Sequence, residues 1–293
     1  MQDYQPYTKQ YLRRALDLIG KAVYTEVGSL DIEAWWTAEP VPFDERQTGT
    51  HLDLEVGDSW GDLFDCAWFH FTGAIPEEAA GRTTVLLLNV NGEMCVVDDA
   101  GVPLRGLTPV ASQYDYSLGE PGKRVLILTE EAQGGEPIDV WADAGANDLF
   151  GNLKNEGRVA QAAVAVCDDT VRALYYDFEV LLDFLDVLPE ESPRHQQVRT
   201  GLGDVTHRLY DAVAEGVGAV AADARARLAP LLAQKGGDPS LEISAIGHAH
   251  MDLAWLWPIR ETKRKGARTF ATVLDLLDRY PNYRFGASQP QYY

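Results

Sequence analysis

The sequence predicts a multidomain chain. An N-terminal helix leads into an antiparallel β-sandwich of jelly-roll type, a helical connector, and the first βα unit of an α/β, barrel-like domain. Three observations predict this. Between Trp60 and Val166, short apolar runs alternate with Gly, Pro and Asn turn signals. From Val171 to Leu232 the apolar period lengthens to between three and four. After Gln234-Lys235-Gly236-Gly237-Asp238-Pro239-Ser240 the pattern becomes strand, loop, helix, strand, the repeat of parallel α/β sheets. The expected divisions are 1–30, 31–168, 169–233, a linker at 234–240, and 241–293.

The first helix is expected from Tyr4 to Val23, where Leu12, Ala15, Leu16, Ile19 and Val23 recur at helical spacing. Gly28 breaks it, and Trp35, Trp36, Pro40, Pro42 and Phe43 read as a loop. Aromatics in such a loop either stack on sugar rings or pack beneath it, and burial tendencies favour packing. The strands are Cys66–Phe71, Thr84–Val90, Met94–Val97, Arg124–Leu128, Ile138–Ala142 and Val159–Val166. Asn91-Gly92 after the second of these is a hairpin signal. His70, in mid-strand, is expected to be structural.

Two helices follow. One carries Val171, Leu174, Phe178, Leu181 and Leu185 and stops at Pro189. The other starts at Pro193 and runs to Leu232, weakened at Gly201 and Gly203 and perturbed at Pro230. Beyond the linker come a strand over Leu241–Ala245, a loop, a helix from Pro258 to Arg279, and a strand over Tyr283–Ser288. Ile259, Ala267, Phe270, Leu274 and Leu277 give that helix an apolar side. Glu261, Lys263, Arg264, Lys265 and Arg268 read as a solvated face with salt links, and Asp275 pairs with Arg279 at i, i+4.

Composition removes several functions. The 293 residues carry a net charge of −20 with 46% hydrophobic and 24% charged residues, an acidic globular chain. Nucleic acid and anionic membrane surfaces are excluded as partners, because both demand basic surface. No run approaches the ~20 apolar residues of a membrane span, and Met1–Gln10 has no apolar signal core, so a cytoplasmic location is expected. Cys66, Cys95 and Cys167 are odd in number, widely spaced and flanked by apolar residues, which predicts buried free thiols.

The chemistry concentrates at Gly247-His248-Ala249-His250-Met251-Asp252-Leu253-Ala254-Trp255-Leu256-Trp257-Pro258. In extended backbone, His248, His250 and Asp252 share one face at the end of a strand. Two imidazoles and a carboxylate are ligand types that zinc prefers, and cobalt or manganese would also suit them. Catalytic residues of βα barrels occupy this position after a strand. The spacing alone also fits a metal-dependent amidohydrolase.

The longer stretch is more specific. With Glu261-Thr262, Lys265, Arg268-Thr269-Phe270, Tyr280-Pro281 and Ser288-Gln289-Pro290-Gln291, it resembles the start of the catalytic domain of family 38 glycoside hydrolases, the α-mannosidases of cytosolic or vacuolar type. Trp68-Phe69, Ile75-Pro76, Gly92-Glu93 and Pro103-Leu104-Arg105-Gly106-Leu107 are similar to the β-rich domain that precedes it there. The resemblance implies a retaining, metal-dependent enzyme acting on terminal α-mannosyl residues of mannose-containing oligosaccharides. It implies that His250 and Asp252 bind zinc, that Trp255 walls the sugar subsite, and that His248 supports the metal site. It places the nucleophile, the acid/base and the remaining metal histidine beyond Tyr293, so the chain alone would be inactive. A homo-oligomer is compatible with it. The contrasting reading is a carbohydrate-binding or oligomerisation module without catalysis.

Overall fold

A computed structural model describes residues 8–108, 122–151, 156–236 and 243–289. The chain divides into two compact units. One combines residues up to 26 with 166–242, and the other combines 27–165 with 243–293.

The first unit is helical. Helix α1 (Lys9–Lys21) is capped by Thr8, whose side chain accepts from the Tyr11 N–H. Leu12, Ala15 and Ile19 form its buried stripe. Helix α2 (Asp169–Val187) begins at Asp168, which accepts from the amides of Thr170 and Val171. Helix α3 (Pro193–Asp211) begins at Ser192, with Pro193 in the first turn. Helix α4 spans Val217–Ala233. The expected single helix from Pro193 to Leu232 is therefore two. Gly216, at φ 88°, takes a left-handed conformation that ends one element before the next begins. Val213 is exposed in the break. Gly201 and Gly203 stay inside α3, and Pro230 inside α4.

The second unit is the sandwich. Its strands are β1 (Tyr24–Ser29), β2 (Asp31–Thr37), β3 (Thr50–Leu54), β4 (Ser59–Gly61), β5 (Cys66–Ala74), β6 (Thr84–Asn89), β7 (Glu93–Val97), β8 (Pro103–Leu107), β9 (Val125–Thr129), β10 (Pro137–Gly145), β11 (Gly157–Arg158) and β12 (Gln161–Cys167). One sheet runs β1-β12-β6-β9 and the other β3-β2-β5-β10-β7-β8, with β11 and β4 as a separate pair. The pairings within the larger sheet are antiparallel. Alternation along β5 sends Phe69 and Phe71 to the core, fully buried and stacked at 5.7 Å between centroids.

Two expectations change here. Trp35 and Trp36 lie in β2, not in a loop, because Asp-Ile-Glu-Ala-Trp-Trp-Thr alternates well enough to pair on both sides. Trp35 is buried and stacks on Trp141, so the packing reading holds for it. Asn91-Gly92 does not close a hairpin: β6 and β7 belong to different sheets. Asn91, at φ 47°, turns the chain from one layer to the other, and its side-chain amide donates to the Glu156 carbonyl at 2.7 Å. The adjacent hairpin is β7–β8, where the Asp98 carboxylate accepts from the amides of Ala100 and Val102.

Residues 243–289 add β13 (Gly247–His248), helix α5 (Ile259–Arg279) and β14 (Phe285–Gly286). β13 and β14 pair in parallel, as a βαβ unit requires. The strand expected over Leu241–Ala245 is not observed at 243–245, and 241–242 lie outside the described residues. Ile243 and Ile246 are exposed. No described helix is long and apolar enough to cross a membrane. Cys66, Cys95 and Cys167 are free and buried, as expected.

Candidate functional site

The site loop runs from the end of β13 to the start of α5. Trp257 Nε1 donates to Thr262 Oγ1 at 2.9 Å, and that hydroxyl donates to the Leu253 carbonyl. One threonine of α5 thus ties the middle of the loop to its end. Trp257 and Met251 are buried beneath the loop, while Leu253, Trp255 and Leu256 project from it.

The predicted ligand-type residues separate into pairs. His250 Nε2 lies 3.2 Å from Asp252 Oδ1, and both side chains are open to solvent. His248 sits in β13 and its Nε2 lies 3.3 Å from Ser288 Oγ. Trp255 is 57% exposed and meets Trp257 edge-on at 5.9 Å. His248, His250, Asp252 and Trp255 all line one cavity of about 730 Å³, within the size range of small-molecule sites. Among the described residues no three His, Cys, Asp or Glu side chains converge as a metal-binding group.

The opposite wall of that cavity was missed in the sequence. It is the sandwich, held to α5 by a buried ionic cluster. Arg264 Nε and Nη2 form a two-pronged bond to the Asp143 carboxylate, at 2.8 and 2.6 Å, and Nη1 lies 3.1 Å from Glu261. Lys265 donates to Glu93 and to the Leu149 carbonyl. Arg268 Nη2 donates to both Glu93 and Glu261. Asn147 joins them by donating to Glu93 at 2.9 Å. Three carboxylates thus face three cations, all mostly withdrawn from water.

The face expected to be solvated is therefore the buried one. Glu261, Arg264, Lys265 and Arg268 are each under 10% exposed, whereas Ile259, Leu274 and Leu277 of the expected apolar side are exposed. The physical reason is complementary charge. Glu93 and Asp143 stand on the sheet face opposite Phe69 and Phe71, so α5 can only lie there by presenting cations. The signal was present: Glu261, Arg264, Lys265 and Arg268 fall at i, i+3, i+4 and i+7, a helical face as regular as any apolar one. Lys263, off that stripe, is exposed as expected. The expected Asp275–Arg279 pair is present at 2.8 Å, and Arg105 of β8 adds a second contact to Asp275 at 2.5 Å.

Burial pushes the Glu261 carboxyl upward, but Arg268, Arg264 and Lys265 overcome this and hold it below the ordinary glutamate value. Burial by itself works against the charged guanidinium of Arg264, but Asp143 and Glu261 more than reverse this and raise it. Burial pushes the Cys66 thiol up, and Cys95 up to about 11, so neither is an activated nucleophile.

The comparisons, not the geometry alone, give the class of this sandwich and its His/Asp/Trp loop. Residues 27–167 match the family model described as the alpha-mannosidase jelly roll domain. Residues 240–293 match the N-terminal domain of glycosyl hydrolases family 38. Through these two segments the chain is similar to the α-mannosidases of that family. It is 30% identical to alpha-mannosidase 2C1 of Homo sapiens and 29% identical to that of Mus musculus, alignments that cover 89% and 90% of this chain. It is 28% identical to the alpha-mannosidase of Saccharomyces cerevisiae over 89% of this chain. It spans about a quarter of the length of these relatives (25%, 25% and 26%).

Proposed function

We propose that the chain is the part of a metal-dependent, retaining α-mannosidase that presents one half of the metal site and one wall of the sugar subsite. The observation that carries this reading is the His250–Asp252 pair, 3.2 Å apart and exposed, lining one cavity with the exposed indole of Trp255. An imidazole nitrogen and a carboxylate oxygen fit zinc, and cobalt or manganese would be accepted too. Two donors make half a shell, so further ligands come from outside the described residues. When bound, the metal supplies Lewis-acid grip on sugar hydroxyls.

The chain's own residues bind and orient. Trp255 offers an apolar face for a sugar ring. His248, held toward Ser288, supports the loop from β13. The nucleophile and the acid/base, two carboxylates about 5–5.5 Å apart in a retaining glycosidase, are assigned to segments outside this chain. Exposed Ile243, Ile246, Ile259 and Leu274 support the reading that β13, α5 and β14 open a larger barrel-like domain. Terminal α-mannosyl residues of oligosaccharides are the proposed substrate, and the cytoplasm the proposed location.

The test is hydrolysis of an aryl α-mannoside by the longer enzyme, with and without a chelator. Activity should fall on chelation and return with zinc, and His250→Ala should abolish it. Activity indifferent to both would remove His250 and Asp252 from the metal.

A further inference from the structure

The cavity extends along α5 beyond the His250–Asp252 pair, and there the sandwich and the helix share one hydroxyl. Thr272 Oγ1 accepts from the Gly106 N–H at 3.2 Å and from Lys123 Nζ at 3.0 Å. Gly106 makes the approach possible: a Cβ there would lie 2.9 Å from the Arg268 carbonyl and 3.2 Å from that hydroxyl. Lys123 is anchored in the sandwich by its β-bridge to Thr108. Lys123, Thr108 and Thr272 all line the cavity, as do His250, Asp252 and Trp255.

We propose that Lys123 and the Thr272 hydroxyl bind the leaving-group side of an oligosaccharide, a sugar beyond the terminal ring that lies on Trp255. This rests on the glycosidase reading. Hydrogen-bond accounting carries it. A hydroxyl has two acceptor positions and one proton, and an ammonium has three protons. Gly106 and Lys123 take both acceptor positions of Thr272, so its proton has no acceptor among the described residues. Thr272 is the side-chain partner of Lys123 among the described residues, which leaves ammonium protons over. Donors left over beside a cavity ask for acceptors, and sugar oxygens supply them.

Burial pushes the Lys123 ammonium down to about 8, with Arg105 adding to the effect and Asp275 opposing it. The ammonium is thus held in place at a cost to the fold, which a purely structural side chain would avoid. Arg105 and Asp275 are its charged neighbours, and Asp275 already serves Arg105 and Arg279. With charge of both signs beside it, the ammonium offers directed donors more than net charge, which suits a neutral sugar. Position selects which sugar. Thr272 lies about 15 Å along α5, by helical rise, from Thr262, the residue that holds the Trp255 loop. One pyranose ring does not span that length. The cavity, at about 730 Å³, has the size of sites for ligands larger than one ring.

Kinetics of the longer enzyme on an aryl α-mannoside and on α-mannotriose test it. In Lys123→Met, KM for mannotriose should rise roughly tenfold. KM for the aryl mannoside, and kcat for both substrates, should stay within about twofold of the parent. Thr272→Val should shift the two KM values in the same way, and Lys123→Arg should restore most of the mannotriose affinity. Thermal denaturation should find Lys123→Met no less stable than the parent, so that the loss is not a folding defect. An unchanged KM for mannotriose in Lys123→Met, or an equal rise for both substrates, overturns the subsite. Hydrolysis of the aryl mannoside by the parent reads the glycosidase assignment by itself, which can stand while the subsite fails. Hydrolysis of neither substrate by the parent overturns both.

Discussion

One face of the six-stranded sheet carries two polar clusters that solve the same problem differently. Under α5, Glu93 and Asp143 meet Lys265, Arg268 and Arg264 in a dry interior. On neighbouring strands, Glu33 and Asp139 meet His51 and His70, with Nε2 contacts of 2.7 and 2.8 Å at a solvated surface. There His70 stacks on Trp141 at 4.1 Å, which bears out its structural role. The sealed cluster uses permanent cations in balanced number, because an unmatched charge away from water is severely penalised. The open cluster tolerates imidazoles and single contacts, because water completes whatever the protein leaves undone.

The largest effect should come from breaking the sealed cluster. Glu261→Ala leaves Arg264 and Arg268 short of a carboxylate in a buried setting, with an expected loss of about 3–5 kcal/mol. Chemical denaturation followed by tryptophan fluorescence measures it. A loss under about 1 kcal/mol would mean that water reaches the cluster and that the contrast is false. Next, Arg264→Lys keeps the charge but not the two-pronged geometry toward Asp143. An expected cost of about 1–2 kcal/mol would separate geometry from charge.

Lys123 lies between the extremes, part-buried, with the Thr272 hydroxyl as its side-chain partner. Its folded-state value near 8 is below the ordinary 10.5. Between those two values the unfolded chain binds the extra proton, so stability rises with pH there. Below 8 both states are protonated and the penalty is fully present. Lys123→Met should therefore stabilise the protein at pH 7 by on the order of 1 kcal/mol, allowing for partial solvation. The advantage should shrink as pH rises above 8, and a gap constant from pH 7 to 10 would contradict the burial argument. The smallest effect is His51→Ala at the open end, within about 0.5 kcal/mol of the parent.

How much of this was legible follows the same contrast. Strands such as β5 and β10 were readable because apolar alternation reports a face in contact with a core. So was the parallel pairing of β13 with β14, from the order of elements alone. The orientation of α5 was not. Its polar stripe and its apolar side are equally periodic, and only the partners Glu93 and Asp143, more than a hundred residues away, decide which is buried. Asn91 was legible as a turn but not as a change of sheet, since the same φ serves both. His250 and Asp252 were legible as a pair by spacing, while the other wall of their cavity comes from Thr108, Lys123 and Phe150, which no local pattern marks.

The cluster that joins α5 to the sheet also bears on what counts as a module. Two family models divide this sequence into a jelly roll and a hydrolase segment, far apart along the chain. Yet Glu93 and Asp143 belong to the first, and Arg264, Lys265 and Arg268 to the second. A jelly roll produced alone would keep its carboxylates and lose their counter-charges, together with the lid over Cys66 and Gly106. The unit that folds, and the unit that would be inherited or transplanted intact, is the pair. A boundary drawn between them in sequence cuts through a shared interior.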